Sequence, residues 1–403
     1  MAVGLAAPHD LFPVKGIRLA ATYCGIKSDP TIKDLTLVEI APESSLAAVF
    51  TQSHFRAAPV KLCQQHLSTE PAPRYLLINS GNANAGTGEA GLKDAIACCD
   101  AVATAAGVSR DQVLPFSTGV IAEPLPLAPI TNSIPQLLDR LDAGNWLEAA
   151  QAIMTTDTLP KAVSQQLEID GKTVSITGMA KGSGMIKPNM ATMLSYIATD
   201  ASIESEQLEE MLAQMVKRSF NSISVDGDTS TNDSCVLIAT GASGVQVDLA
   251  HAVFCQALQS VFEQLAQAII RDAEGATKFV EVQVEGAASE TDARSVAFTI
   301  AESPLVKTAL FASDPNWGRF IMAIGRAPVT HIDTDLVDLY LGQVCLLHHG
   351  LPDPEYREAL GQAEMSRSEI CIRVNLNLGR SMARIWTSDL SYDYVKINAE
   401  YRS

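Results

Sequence analysis

The 403-residue chain reads as a layered α+β protein rather than a doubly wound parallel sheet. Three observations predict this: a hairpin signal at Asp170-Gly171, two long amphipathic helical patterns, and strands that do not alternate with helices in a βαβ rhythm. Hydrophobic residues make up 47% of the chain, enough apolar material for the cores of two or three domains.

In chain order, Tyr75, Leu76, Leu77 and Ile78 form an apolar run that reads as a buried strand. It leads into what reads as a polar loop, Asn79-Ser80-Gly81-Asn82-Ala83-Asn84. A helix is expected from about Gly91 to Ala106, with Gly107 as its stop. Leu167 and Ile169, then Val174 and Ile176, alternate with polar residues around Asp170-Gly171, a pair that supplies the positive φ angles of a tight turn. Leu208, Met211, Leu212, Met215 and Val216 share one helical face after a candidate cap at Ser205. Phe254, Leu258, Val261, Phe262, Leu265 and Ile269 repeat that spacing, with Gly275 past the end. Ile372, Val374, Leu376 and Leu378 alternate with Arg373, Asn375 and Asn377, the pattern of a half-buried strand.

Composition excludes several function classes. A formal charge of -17, from 46 acidic against 29 basic residues, argues against a nucleic-acid partner, whose phosphates need clustered Lys and Arg. No apolar run approaches the roughly 20 residues of a membrane helix, and no basic start followed by an apolar stretch marks a secretory signal. The eight cysteines lack CxxC spacing, which suits reduced thiols better than disulfides or zinc. The expectation is a cytoplasmic protein with no membrane partner.

The segment Lys181-Gly182-Ser183-Gly184-Met185-Ile186-Lys187-Pro188-Asn189-Met190-Ala191-Thr192-Met193-Leu194 is the sharpest feature. A phosphate-binding loop is one reading, but the GxxxxGK[ST] spacing is missing. A plain glycine linker between the hairpin and an apolar strand through Met193, Leu194, Tyr196 and Ile197 is another. Ser117-Thr118-Gly119, alone, reads as a turn.

KGSGMIKPNMATML resembles the cleavage and nucleophile segment of the ArgJ family, the glutamate N-acetyltransferases and ornithine acetyltransferases of arginine biosynthesis. The resemblance extends through NSGNANA (79–85), PFSTGVI (115–121), TTDTLPK (155–161), DGDTSTND (226–233), DAEGATK (272–278) and DPNWGR (314–319). It implies a layered α/β/β/α sandwich resembling the self-cleaving N-terminal-nucleophile-like fold, with a smaller α/β C-terminal domain. The implied chains are residues 1–191 and 192–403, and the implied structural domains are approximately 1–280 and 281–403.

It further implies self-cleavage between Ala191 and Thr192, with Thr192 as nucleophile and Thr118 and Gly119 as the oxyanion hole. The chemistry is sound. A threonine hydroxyl needs a neighbouring base; the α-amine that cleavage creates has an unperturbed pKa of about 8 and lies within reach of its own hydroxyl. A hydroxyl and a backbone N–H suit a tetrahedral oxyanion. For substrate, the resemblance implies Thr158, Lys181, Thr192, Glu274, Asn398 and Ser403. Within TTDT the choice among Thr155, Thr156 and Thr158 stays open, and without the resemblance Glu274 reads equally as a solvated residue at a helix end. Lys181 would offer a cation to an α-carboxylate, and Glu274 an anion to an ammonium.

The implied reaction moves an acetyl group from N2-acetylornithine to glutamate by a ping-pong route through acetyl-Thr192. No cofactor is implied; acetyl-CoA is a co-substrate in bifunctional members. Two cleaved protomers are implied to assemble as an α2β2 heterotetramer. A threonine aminopeptidase or amidohydrolase of related fold, and a binding protein without chemistry, are the rival readings. Asp226 to Asp233 lacks the EF-hand spacing, so no metal is expected there. His348-His349 and Cys98-Cys99 lack ligand spacing and read as packing or surface residues. Trp317 reads as core.

Overall fold

The protein is described by a computed structural model covering residues 2–69, 71–187 and 193–400. It divides into a larger unit, residues 6–221 with 229–269, and a smaller one, residues 1–5, 222–228 and 270–403.

The larger unit holds strands β1 (Ile17–Thr22), β2 (Leu35–Ile40), β3 (Ser45–Phe50), β4 (Tyr75–Asn82) and β5 (Val113–Val120). These are followed by β6 (Lys161–Ile169), β7 (Lys172–Lys181) and β8 (Leu194–Thr199). Strand β9 (Ile223–Ser224) belongs to the smaller unit, and β10 (Ser234–Ala239) again to the larger. Helices α1 (Ala58–Leu67), α2 (Gly88–Ala106), α3 (Leu127–Asp139), α4 (Trp146–Ala152), α5 (Ser205–Lys217) and α6 (Ala252–Arg271) complete it.

Two sheets result, ordered β1-β2-β4-β5 and β3-β10-β8-β7-β6 among the described residues. Leu19, Val38, Leu76, Ile78 and Phe116 of the first pack against Met179, Leu194, Tyr196 and Val236 of the second. Phe116 meets Tyr196 edge-on at 5.2 Å, a favoured aromatic geometry. On its other face the first sheet packs Leu37 and Leu77 against Cys98 and Val102 of α2 and Ile134 of α3. The second sheet abuts α6, where a Cβ on Gly178 of β7 would come within 3.0 Å of Leu265. The layering is therefore α/β/β/α, and β8, covered on both faces, is buried along its whole length.

Local chemistry explains the elements. Gly107 ends α2 in the left-handed conformation, and Asp170 (φ 52°) and Gly171 (φ 73°) form the hairpin turn between β6 and β7 as expected. Helix α2 starts earlier than expected, at Gly88, and the N-cap position of α5 falls one residue earlier, on the extended Glu204, whose side chain makes no cap hydrogen bond, so Ser205 is the first helical residue. Asn79–Asn82 and Ser117–Gly119, read as a loop and a turn, are strand residues of β4 and β5.

The smaller unit adds β11 (Phe279–Ala287), β12 (Asp338–Leu341), β13 (Val344–His348), β14 (Leu351–Pro352), β15 (Glu369–Asn375) and β16 (Ser381–Ser388). Its helices are α7 (Glu290–Ala301), α8 (Pro304–Ala312), α9 (Trp317–Gly325), α10 (Glu358–Met365) and α11 (Tyr392–Ala399). One sheet, ordered β14-β13-β12-β15-β11-β16-β9, packs Val282, Val284, Ile372 and Val374 against Val296, Ile300, Leu310 and Phe320. Phe279 already pairs with Glu369 and Ser388 in this sheet, which draws residues from Ile270 onward into the smaller unit, whereas the sequence reading divided the chain at 280/281. Trp317 is half-buried, packed on the core and edge-on to Tyr356. No helix among the described residues is long and apolar enough to cross a membrane, and all eight cysteines are free.

Candidate active site

At the C-terminal ends of β4 and β5, polar side chains do the packing. The two strands run parallel with Ser80 opposite Thr118 and Gly81 opposite Gly119. The Ser117 hydroxyl donates to Asn79 Oδ1 at 2.6 Å, and Asn79 Nδ2 donates to the Asn82 carbonyl at 2.8 Å. From the DGDTSTND segment, Asn232 Nδ2 donates to the carbonyls of Ala83 (2.6 Å) and Ser117 (2.9 Å). Each buried amide is thus satisfied while bracing the backbone on either side of Thr118. Gly119 has φ +135°, and a Cβ there would lie 2.2 Å from the Gly81 carbonyl carbon, so this close approach admits only glycine.

Lys181, at the end of β7, points into the same cluster. Its ammonium donates to the Thr155 hydroxyl at 2.7 Å and to the Thr118 hydroxyl at 3.3 Å. Because Thr118 Oγ1 accepts from Lys181, its own proton is left to donate to a further acceptor. Asp157 lies beneath, fully buried. Asp157 Oδ1 accepts from Lys161 Nζ (2.6 Å) and the Gly182 N–H (2.8 Å), while Oδ2 accepts from the Thr155 N–H (3.0 Å) and lies 3.9 Å from Lys181 Nζ. Burial alone would raise the Asp157 pKa, but the ammonium groups of Lys161 and Lys181 outweigh it and hold the carboxyl well below the usual range.

The approach to this cluster is pinned from behind. Asp34 collects the N–H groups of Cys24, Gly25, Ile26 and Lys27, and Lys27 Nζ donates to the Met154 carbonyl at 2.8 Å, immediately before Thr155. Burial draws the Lys27 pKa down to about 8, with the Lys181 charge adding to the effect and Asp34 and Asp157 opposing it.

Of the expected site residues in the larger unit, Thr118, Gly119 and Lys181 come together. Within TTDT it is Thr155 that meets Lys181; the Thr156 hydroxyl bonds that of Ser183 (2.7 Å), and Thr158 is exposed. Ala191, Thr192 and Ser403 lie outside the described residues. Asp157 and Lys27 were not singled out from sequence, although Asp157 sits in a quoted block.

In the smaller unit Glu274 is buried rather than solvated, and its carboxylate accepts from Asn398 Nδ2 at 2.8 Å. Gly275 (φ +67°) makes this possible: a Cβ there would lie 2.5 Å from the Tyr394 nitrogen, at the start of α11. The Tyr394 hydroxyl donates to Asp226 at 3.2 Å, and burial followed by the Asp226 charge pushes its pKa well up. His348 and His349, though adjacent in sequence, both turn to Asp338, with Nδ1–Oδ1 distances of 3.0 and 3.5 Å.

A hydroxyl donor beside a fixed ammonium and a tight glycine strand is an arrangement suited to stabilising a developing oxyanion. The sequence profile of the ArgJ family matches residues 18–403. Over their full lengths, the chain is 50% identical to the arginine biosynthesis bifunctional protein ArgJ of Pseudomonas fluorescens. It is 52% identical to that of Methylococcus capsulatus, across 99% of this chain and 100% of the relative. A crystal structure of arginine biosynthesis bifunctional protein ArgJ from Bacillus halodurans is 40% identical over 51% of this chain and 98% of that one, with a TM-score of 0.49. With the profile spanning nearly the whole chain and full-length relatives sharing half its residues, this protein belongs to the ArgJ family.

Proposed function

We propose that this protein is an N-acetyltransferase of arginine biosynthesis that carries an acetyl group from N2-acetylornithine to glutamate through an ester on Thr192. The observation that supports this most is the Thr118–Gly119 strand end, held against Gly81 and fronted by the Lys181 ammonium.

The precursor cuts itself. The Thr192 hydroxyl attacks the Ala191 carbonyl, the peptide becomes an ester, and hydrolysis leaves Thr192 with a free α-amine and Ala191 with a carboxylate. In turnover that amine takes the hydroxyl proton as Thr192 attacks the acetyl carbonyl of acetylornithine. The Thr118 hydroxyl and Gly119 N–H stabilise the oxyanion. Its collapse returns the proton to the departing ornithine nitrogen and leaves acetyl-Thr192. The glutamate amine then attacks the ester, its proton passes by way of the α-amine to the departing Thr192 oxygen, and N-acetylglutamate leaves with the Thr192 hydroxyl and free amine restored. Lys181 holds a substrate carboxylate; Glu274 and Asn398 serve the substrate's amino group. Acetyl-CoA is a second donor that loads the same hydroxyl. Two cleaved protomers form an α2β2 assembly.

Denaturing electrophoresis with mass spectrometry of the purified protein tests the first step, with fragments 1–191 and 192–403 expected and Thr192→Ala left whole and inactive. Incubation with acetylornithine alone should add one acetyl group to the C-terminal fragment. Release of free acetate in place of N-acetylglutamate would instead identify a hydrolase.

A further inference from the structure

We propose that a basic groove between the starts of α1 and α2 binds the phosphorylated adenosine of acetyl-CoA, with the pantetheine arm running along the β4–β5 edge towards Thr118 and Gly119. This rests on the transferase reading above. The groove is a cavity of about 570 Å³ lined by His54, Phe55, Arg56, Lys61 and the first turn of α2.

Its charge is out of character for the chain. On a protein of net charge -17, three basic side chains line one cavity with Glu89 as the acidic lining residue. All three are exposed, and among the described residues none forms a side-chain hydrogen bond or ion pair. Arg56 and Lys61 are thus left to a mobile anion, and Arg matches phosphate geometry through paired N–H groups.

Two further features favour a nucleotide over a simple anion. The N-cap residue of α2, Thr87, turns its hydroxyl to Asn84 Oδ1 and caps nothing, so no side chain covers the first-turn N–H groups of Gly88, Glu89 and Ala90. Phe55 is 74% exposed on the same rim, an aromatic platform on which a purine stacks. Neither glutamate nor acetylornithine carries a phosphate or a ring to use these groups.

The groove also lies within reach of the Thr118–Gly119 strand end. The Ala83 N–H donates to the Val120 carbonyl (2.9 Å), and the Ala122 N–H to the Ala85 carbonyl (2.8 Å). The strand ends therefore run side by side from Gly81 and Gly119 to the rim. Gly86 on the rim follows Gly81 by five residues, so the path is at most about 17 Å, which an extended phosphopantetheine arm spans.

The test compares both donor reactions in wild type and the double variant Arg56→Glu/Lys61→Glu, whose side chains are exposed and outside the catalytic cluster. The expected result is a KM for acetyl-CoA raised at least about tenfold, with acetylornithine-to-glutamate kcat/KM kept within about twofold. Adenosine 3′,5′-bisphosphate should bind the wild type by calorimetry, compete with acetyl-CoA, and lose binding in the variant. An unchanged acetyl-CoA KM, an equal loss with both donors, or wild-type turnover of acetylornithine but not acetyl-CoA overturns the groove and leaves the transferase reading standing. Absence of transfer from either donor defeats the transferase reading, and calorimetry then decides the groove: nucleotide binding that the variant lacks supports it, and equal or absent binding overturns it.

Discussion

Gly119 faces Gly81 across the parallel β4–β5 pair so closely that a Cβ on Gly119 would sit 2.2 Å from the Gly81 carbonyl carbon. Backbone cannot yield as a flexible side chain can, and φ +135° adds strain of its own. Gly119→Ala should therefore lose roughly 2–4 kcal/mol of stability and at least about a hundredfold in kcat. Urea denaturation and acetyl-transfer assays check both, and a fully active Ala variant would remove Gly119 from the oxyanion role.

Thr118 separates chemistry from folding. Its side chain is half-exposed, and Lys181 keeps Thr155 as a partner when the Thr118 hydroxyl is removed. Thr118→Ala should keep its denaturation midpoint but lower kcat on the order of 10²–10³-fold, with Thr118→Ser retaining most of the rate. Equal loss in both variants would point to packing rather than to the hydroxyl.

Asp157 is the buried counter-charge of two lysines. Asp157→Asn leaves Lys161 buried with a neutral partner, which should cost about 3–5 kcal/mol. Its folded pKa is depressed, so the stabilisation is fully present above the ordinary carboxylate value of about 4 and is lost as pH falls from there towards the folded value. Unfolding free energies of the two proteins should differ by a constant amount between pH 6 and 8 and converge only in stronger acid; equal stability at pH 7 would refute the assignment.

Lys307, in α8, gives the same sign in the alkaline range, though here it is the loss of a buried charge that favours folding. Burial lowers its pKa to about 8, against the pull of Asp389, Asp226 and Glu302, while its ammonium donates to the Thr387 hydroxyl and the Ser388 carbonyl. Between about pH 8 and 10.5 the unfolded chain binds the proton that the folded one has released, so Lys307 favours folding more as pH rises through that window. Wild type should gain up to about 3 kcal/mol on Lys307→Met across it, measured by chemical denaturation. A flat difference would show that the folded pKa is ordinary.

The sequence was most legible where apolar periodicity or backbone conformation carries the signal. Asp170-Gly171 and Gly107 announce a turn and a helix end because positive φ narrows the choice of residue. The candidate site was less so. Asn79 and Ser117 read as loop and turn because strand patterns are sought in hydrophobic residues, yet here two polar side chains are buried against each other. Asp157 carries no signal of its own in the sequence; its link to Lys181 exists only after β6 and β7 fold back as a hairpin. Thr118, Gly119 and Lys181 were found through the resemblance of whole blocks, and Glu274, read as equally suited to a helix end in solvent, is buried because α11 returns Asn398 to it.

The sheet order β3-β10-β8-β7-β6 gives a cut at Ala191-Thr192 a particular meaning. Strands β3, β7 and β6 would belong to the first fragment and β10 and β8 to the second, so the pieces are interleaved like the fingers of two hands. Severing one peptide bond removes no rung of that ladder: β8 stays bonded to β7 from Leu194 to Thr199, and β10 to β3 along its whole length. Each fragment is the missing half of the other's sheet. Apart, each would present raw strand edges prone to aggregate, so the two polypeptides are expected to leave and enter the native state only together.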